Sequence, residues 1–293
     1  MFRRSTIMIL LLILGLYTVS LAQSTPTGLW SLGVANDSFF NQDRGYTSGL
    51  DLAFTPNSAA YTISLGQDIF TPETRSTLQP PHGEHPYAAW LYVKGEHRYS
   101  IIPTLLITSS LSLGTTGQRA QGKEVQDFAH QVLDFNEYSG WDSQVSNRWG
   151  WVACVKGQWL LPLIEFDKVG VDLITHVQGR GGNIHIDGEA GATVRLGYHL
   201  PQLEAQKTTP STNSLYVTVT GSRKIVDKNI LLEGVNNGDY HVKPERGVNT
   251  LICGIHWLHG AYQVDLDFHF PEKEFKGQDY TNSYGILRLS YWY

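Results

Sequence analysis

The feature that most limits what this chain can become is its alternation. From Thr27 to Tyr293, apolar and polar residues trade places at every second position, segment after segment. In 46–55, Leu50, Leu52 and Phe54 fall on one face, and Thr47, Gly49, Asp51 and Ala53 on the other. A period of two marks a strand with two unlike faces. Such runs cover 27–37, 46–55, 61–70, 87–98, 101–114, 147–161, 164–178, 188–200, 213–226, 247–259, 261–272 and 283–293. Strands of roughly 10–14 residues are longer than the ~5–6 usual in soluble sheets, and they match a tilted membrane span. The connections alternate too. Those at 57–60, 99–100, 161–163 and 259–260 are tight. Those at 38–45, 71–86, 115–146, 179–187, 227–246 and 273–282 are longer and polar. The exception is 201–212, which parity puts at the short-turn end despite its length. The pattern predicts an all-β fold: a transmembrane, antiparallel, up-and-down β-barrel of about twelve strands, with a short helix in an extracellular loop.

Composition agrees with a barrel and excludes other classes. Charged residues make up 17% and the net charge is −5, so no basic surface invites nucleic acid. Mean hydropathy is slightly negative at −0.21, as expected when only alternate residues meet lipid. Trp90, Tyr92, Trp149, Trp151, Trp159, Trp257 and Tyr262 lie near strand ends, where ringed side chains with polar handles favour the lipid–water interface. Arg3 and Arg4, the apolar run 7–16 and Ser20-Leu21-Ala22 read as a signal peptide over 1–22, leaving 23–293 as one barrel domain, expected to act as a monomer. Strand parity points Cys154 inward and Cys253 at lipid, against a disulfide.

One segment breaks the β pattern. In 122–135, Val125, Phe128, Ala129, Val132 and Leu133 repeat at helical spacing, with Gln126 and His130 four apart at the edge of that face. A loop helix packing its apolar face on the barrel mouth is expected. Parity puts it at the same end as the loop that follows Asn36-Asp37.

Two constellations could carry chemistry. Asn36, Asp37, Asp43 and Thr47 bring a carboxylate, a hydroxyl and loop carbonyls to one strand pair, the hard oxygens that calcium takes. Alternation expects Asp37 and Thr47 to point into the barrel. A hairpin with turn-forming Asp and Asn accounts for the same residues, so both readings stand. His130, with Gln126 one turn away, has the makings of a general base on water; a solvated loop histidine would look alike. No Gly-x-Ser-x-Gly or His-Glu-x-x-His pattern is present.

The blocks together resemble a family. Ala35-Asn36-Asp37, then Asp43 to Leu50, is similar to the first motif of outer-membrane lipid A 3'-O-deacylases, the LpxR-like family. Gln67 to Pro72, Pro86 to Leu91, Lys123 to His130, Asn147 to Gly150, Gly181-Gly182-Asn183 and Val226 to Asn229 follow in order. The resemblance implies a twelve-stranded barrel in the bacterial outer membrane, its active site facing the cell exterior. It implies a calcium-dependent esterase that removes the 3'-linked acyloxyacyl group of lipid A. His130 would be the general base, oriented by Gln126, with Asn36 and Tyr138 in the active site. Asp37 and Thr47 would belong to the calcium site. The family's second long loop carries a basic pair for substrate phosphate; 71–86 has no lysine, and Arg75, His82 and His85 are the available substitutes, of which Arg75 and His85 are taken as substrate-binding. The rival expectations are an outer-membrane phospholipase and a non-enzymatic barrel, a channel or adhesin. Small inward residues (Gly33, Gly49, Gly66) speak for a filled interior over a pore.

Overall fold

A computed structural model of the protein describes residues 28–56, 60–133, 138–204 and 212–293. The expected signal peptide lies outside them. Twelve antiparallel strands close into one up-and-down barrel: β1 (Gly28–Asn36), β2 (Gly45–Pro56), β3 (Tyr61–Thr71), β4 (Ala88–Ile102), β5 (Leu105–Thr116), β6 (Trp149–Phe166), β7 (Val169–Gly182), β8 (His185–Tyr198), β9 (Ser214–Asn229), β10 (Gly247–His259), β11 (Tyr262–Pro271) and β12 (Tyr284–Trp292). Each strand pairs with its sequence neighbours, and β1 pairs with β12 from Leu29–Trp292 to Asn36–Gly285, so the sheet has no edge. Among the described residues two α-helices interrupt the strands, α1 (Gly122–Leu133) and the one-turn α2 (Ile230–Glu233).

The two faces of the wall have opposite chemistry. Leu50, Leu52, Ile63, Leu65, Val93, Leu111, Leu113, Val155, Val217 and Ile255 stand exposed on the outside. The inside carries ion pairs, two between the neighbouring strands β7 and β8 and one that reaches from β12 across β1 to β2. Arg195 grips Asp172 through two bonds of 2.7 and 2.6 Å, Arg180 meets Asp187 at 2.6 Å, and Arg288 meets Asp51 at 3.0 Å. Apolar outside and charged inside is the inverse of a soluble core, and suits a wall that has lipid for solvent. Glycines let large side chains fold across the lumen. A Cβ on Gly49 would stand 1.9 Å from the Tyr46 hydroxyl, and one on Gly66 would stand 2.4 Å from the Tyr92 ring. Tyr46 in turn donates to Asp68 at 2.8 Å. The interior is therefore filled at this level. Gly66→Val is expected to destabilise the barrel by about 1–3 kcal/mol or more, because the ring cannot retreat through a packed interior; a lower midpoint in the heat-dependent gel mobility shift checks this.

At the long-loop end the lumen is capped from within by Ala88, Trp90, Val145, Val152, Ile184, Ile230 and Leu231. Trp90 and Tyr92, expected at the lipid interface, thus face inward and stack on each other at 5.6 Å. Their register, Trp90–Asp68 and Tyr92–Gly66, sets them on the lumen side, which alternation alone does not distinguish from the lipid side when both carry aromatics. The span 179–187, expected as a loop, is mostly strand. β7 and β8 continue until only 183–184 connect them, because glycines permit pairing while giving no apolar signal. The connection from β8 to β9 does lie at the short-turn end; 205–211 fall outside the described residues. Both cysteines are free. Cys154 pairs in register with Arg180 on the lumen face, and Cys253 with Phe268 on the outer one.

Candidate active site

The loop from 37 to 44 is wrapped around one carboxyl. Asn36, the last residue of β1, caps a 3-10 turn over Asp37–Phe40: its Oδ1 accepts from the Ser38 amide at 2.8 Å. Its Nδ2 donates to the Thr47 carbonyl at 3.0 Å and ties the end of β1 to the start of β2. The turn closes at Asn41, in the left-handed region with φ 56°. The chain then doubles back, and the Arg44 amide donates to Asp37 Oδ2 at 2.6 Å. Asp37 is left buried.

Thr47 is the extra residue of a β-bulge, between the pairs Tyr46–Phe70 and Ser48–Ile69. Its hydroxyl meets that of Thr71 at 2.5 Å. Thr71 has the parity of Ile63, Leu65 and Ile69, which is the outer face of β3. This corrects the expectation that Asp37 and Thr47 point into the barrel. Asp37 has already left the strand, the bulge re-aims Thr47, and the cluster forms on the outside of the wall near its rim.

The helix α1 lies over this outer face, the opposite way round from the expected packing. Gln126 and His130 are buried at 5% and 6% exposure, whereas Phe128 and Val132 are exposed at 68% and 67%. Beneath the helix lie Ile69, Tyr87, Ala89, Ala120, Tyr138 and Trp141. Gly122 makes the close approach, since a Cβ there would stand 2.6 Å from that of Ala89. Gln126 Oε1 accepts from Trp141 Nε1 at 2.8 Å, and its Nε2 is buried without a hydrogen-bond partner among the described residues. The amphipathic period is as read from the sequence; which face goes in is reversed, with Gln126 and His130 covered and Phe128 and Val132 exposed.

Asp43 gathers the remaining groups. Its Oδ2 lies 2.6 Å from Arg75 and 3.7 Å from His130 Nε2. The Tyr138 hydroxyl donates to the Asp43 carbonyl at 2.7 Å, its ring lies 5.7 Å from that of His130, and the Arg75 guanidinium stands 5.2 Å over it. Burial raises the Asp37 carboxyl to about 8; the neighbouring Asp43 charge adds to this and the Arg44 amide opposes it. A carboxyl buried at such cost fits a site completed by a cation. Among the described residues no three His, Cys, Asp or Glu side chains cluster as metal ligands. The donors to hand are instead a carboxylate, hydroxyls and loop carbonyls, which suit calcium and not zinc.

Thus Asn36, Asp37, Thr47, Gln126, His130, Tyr138 and Arg75 converge on one patch of outer wall. His85 does not join them. It is buried, stacked on Phe70 at 4.9 Å and edge-on to Phe275 at 5.9 Å, and its Nδ1 donates to the Pro86 carbonyl at 2.6 Å. Burial lowers its pKa to about 4, so it is neutral and offers no charge to a phosphate. Its sequence position, in a long loop without lysine, made it look like a substitute; its aromatic neighbours come from the end of β3 and from the distant loop between β11 and β12. Asn36 has both ends of its amide committed to backbone, a supporting part. Sequence reading grouped Asp43 with the candidate calcium oxygens and not with His130, and missed Thr71, Trp141 and Gln67, whose Nε2 holds the Ala120 carbonyl at 2.6 Å. Only the loop aspartate carried a signal, its place in the same polar loop as Asp37.

The fold has counterparts among solved structures. The solved structure of LpxR from Salmonella typhimurium superposes with a TM-score of 0.81 at 22% identity, covering 90% of this chain and 100% of that one. The beta domain of the Bordetella autotransporter BrkA gives 0.47 at 8% identity over 92% and 100%, and the KdgM porin 0.40 at 7% over 90% and 99%. No curated protein matches the chain. The sequence model described as "Outer membrane protein LpxR" matches residues 7–293, nearly the whole length, and with that match the closed barrel with its helix on the outer wall is placed: the chain belongs to the LpxR family of outer-membrane proteins.

Proposed function

We propose that the protein is an esterase that removes the 3'-linked acyloxyacyl group of lipid A, working from the exterior side of the outer membrane. The observation that carries this is the convergence of His130 and Asp37, from segments about ninety residues apart, around Asp43 on the outer wall beneath α1. A site on the lipid side of a barrel suits a substrate that lives in the membrane.

The chemistry follows from the positions. Water held at the His130 ring gives up a proton to it as its oxygen attacks the acyl carbonyl. Asp43, 3.7 Å away, stabilises the imidazolium that forms. His130 then returns the proton to the departing sugar oxygen, so that a free acid and a 3'-hydroxyl are the products. Tyr138 walls the ring on one side, and Trp141 holds Gln126 with its unpaired Nε2 beside the helix. Asp37 and Thr47 are the residues that would hold calcium. Bound there, calcium would supply positive charge for the carbonyl oxygen as negative charge develops.

Lipid A mass spectrometry tests the reading. Cells expressing the protein should lose the 3'-linked group, and a calcium chelator should prevent that loss. Loss of acyl chains from glycerophospholipid instead would favour a phospholipase. The two basic candidates should part company. Arg75→Ala is expected to raise KM about tenfold, the loss of one charge-assisted contact to an anion. His85→Phe, which keeps the stack, should leave kcat/KM within about threefold. Equal losses in both would overturn the assignment of His85 to the core.

A further inference from the structure

We infer that the exposed face of α1 is immersed among the acyl chains of outer-leaflet lipid, so that the helix forms part of the lipid-facing wall and the substrate reaches His130 sideways, within the leaflet. The lateral arrival of substrate rests on the proposed deacylase reading; the immersion of the helix does not.

Three observations carry it. First, the helix presents its apolar residues away from the protein. Val125, Phe128 and Val132 are exposed while the polar Gln126 and His130 are covered. In water this orientation would be inverted, because the helix would gain by burying the stripe and solvating the polar pair. Second, the height is right. Gly122 sits against Ala89 on β4, and Leu91 packs on the cluster beneath the helix. Leu91 pairs with Thr115, and Thr115 with Trp149, so Trp149 stands two strands away in register with a residue beneath the helix, offset in height only by the strand tilt. Trp149 is the exposed indole with the Arg119 guanidinium 6.0 Å over its ring, a pairing suited to the headgroup boundary. Third, the surface is continuous. One row further down, Val93, Leu113 and Trp151 are paired neighbours and all exposed on the outer face, so lipid covers the wall beside and below the helix. A helix with a strong apolar face at this boundary lies in the plane of the interface. Successive residues turn by about 100°, so Phe128 and Val132, each two positions from His130, look away from it. One helix thus separates the leaflet from His130 and Asp37, and lipid would reach them round its edge.

Depth can be read without catalysis. In a Cys154→Ser/Cys253→Ser background, a nitroxide at Val132→Cys is compared in proteoliposomes with one at Leu113→Cys on the wall and one at Asn237→Cys in the exposed loop between β9 and β10. The label at 132 should collide with oxygen in preference to a nickel chelate, as at 113. A label there that meets nickel as freely as at 237 overturns the immersion. The second arm is the double variant Phe128→Ser/Val132→Ser, checked for its heat-dependent mobility shift. Removing the apolar face should cut lipid A hydrolysis in bilayers about tenfold or more, and by no more than about twofold in detergent micelles, where substrate need not cross a leaflet. Equal loss in both, or no loss in bilayers, overturns lateral arrival. If wild-type protein acts on no lipid A at all, the deacylase reading fails while the nitroxide result still stands.

Discussion

His130→Ala is expected to lower lipid A deacylation by about 10²–10⁴-fold, the usual contribution of a positioned general base. The barrel should survive the change. His130 sits on the buried face of the loop helix α1 and not in the wall, and the barrel is closed by strand–strand pairing in which the helix takes no part. The variant should therefore keep its heat-dependent mobility shift, so that lost activity reports on chemistry. His130→Gln, which fills the space and can still form hydrogen bonds, should be as inactive as alanine, because the amide does not take a proton. Full activity in either variant would end the proposed mechanism.

The second large effect concerns Asp37. Asp37→Asn preserves shape and removes the charge, and deacylation should fall by about 10²–10³-fold, as when one stabiliser of a developing oxyanion is lost. A pH signature accompanies it. Without a cation the Asp37 carboxyl sits at about 8, raised by burial. Calcium binds the carboxylate, so below that pH it must displace a proton. Apparent calcium affinity should then approach a fall of about tenfold for each unit well below it, and be about 50-fold weaker at pH 6 than at pH 8. Titration calorimetry at the two values reads this directly. Asp37→Asn should lose the slope along with the tight binding. Calcium affinity that ignores pH in the wild type would show that Asp37 is not a ligand.

Sequence reading went far where the physics is local. Twelve alternating runs became twelve strands, because a period of two survives whatever the strand packs against. It failed where the outcome depends on a partner distant in the chain. Trp90 and Tyr92 read as interface aromatics, and turned inward because Asp68 and Gly66 lie opposite them. His85 read as a spare cation, and became a neutral core residue between Phe70 and Phe275. Asp43 stood in the right loop, but its meeting with Arg75 and His130 needs three loops to converge.

The helix and the loop after Asn36 show the same division. The sequence by itself determined that α1 is amphipathic and that Gln126 and His130 stack along it, since both follow from 3.6 residues per turn. It also determined that Asp37 and Thr47 flank one hairpin. Only the tertiary structure decided that the site lies outside the wall. One bulge at Thr47 re-aims a side chain that strict alternation would have sent into the lumen. Only the tertiary structure decided, too, that the helix turns its polar face inward. Burial of a stripe depends on what lies on the far side of it, and a sequence records the stripe without recording the solvent.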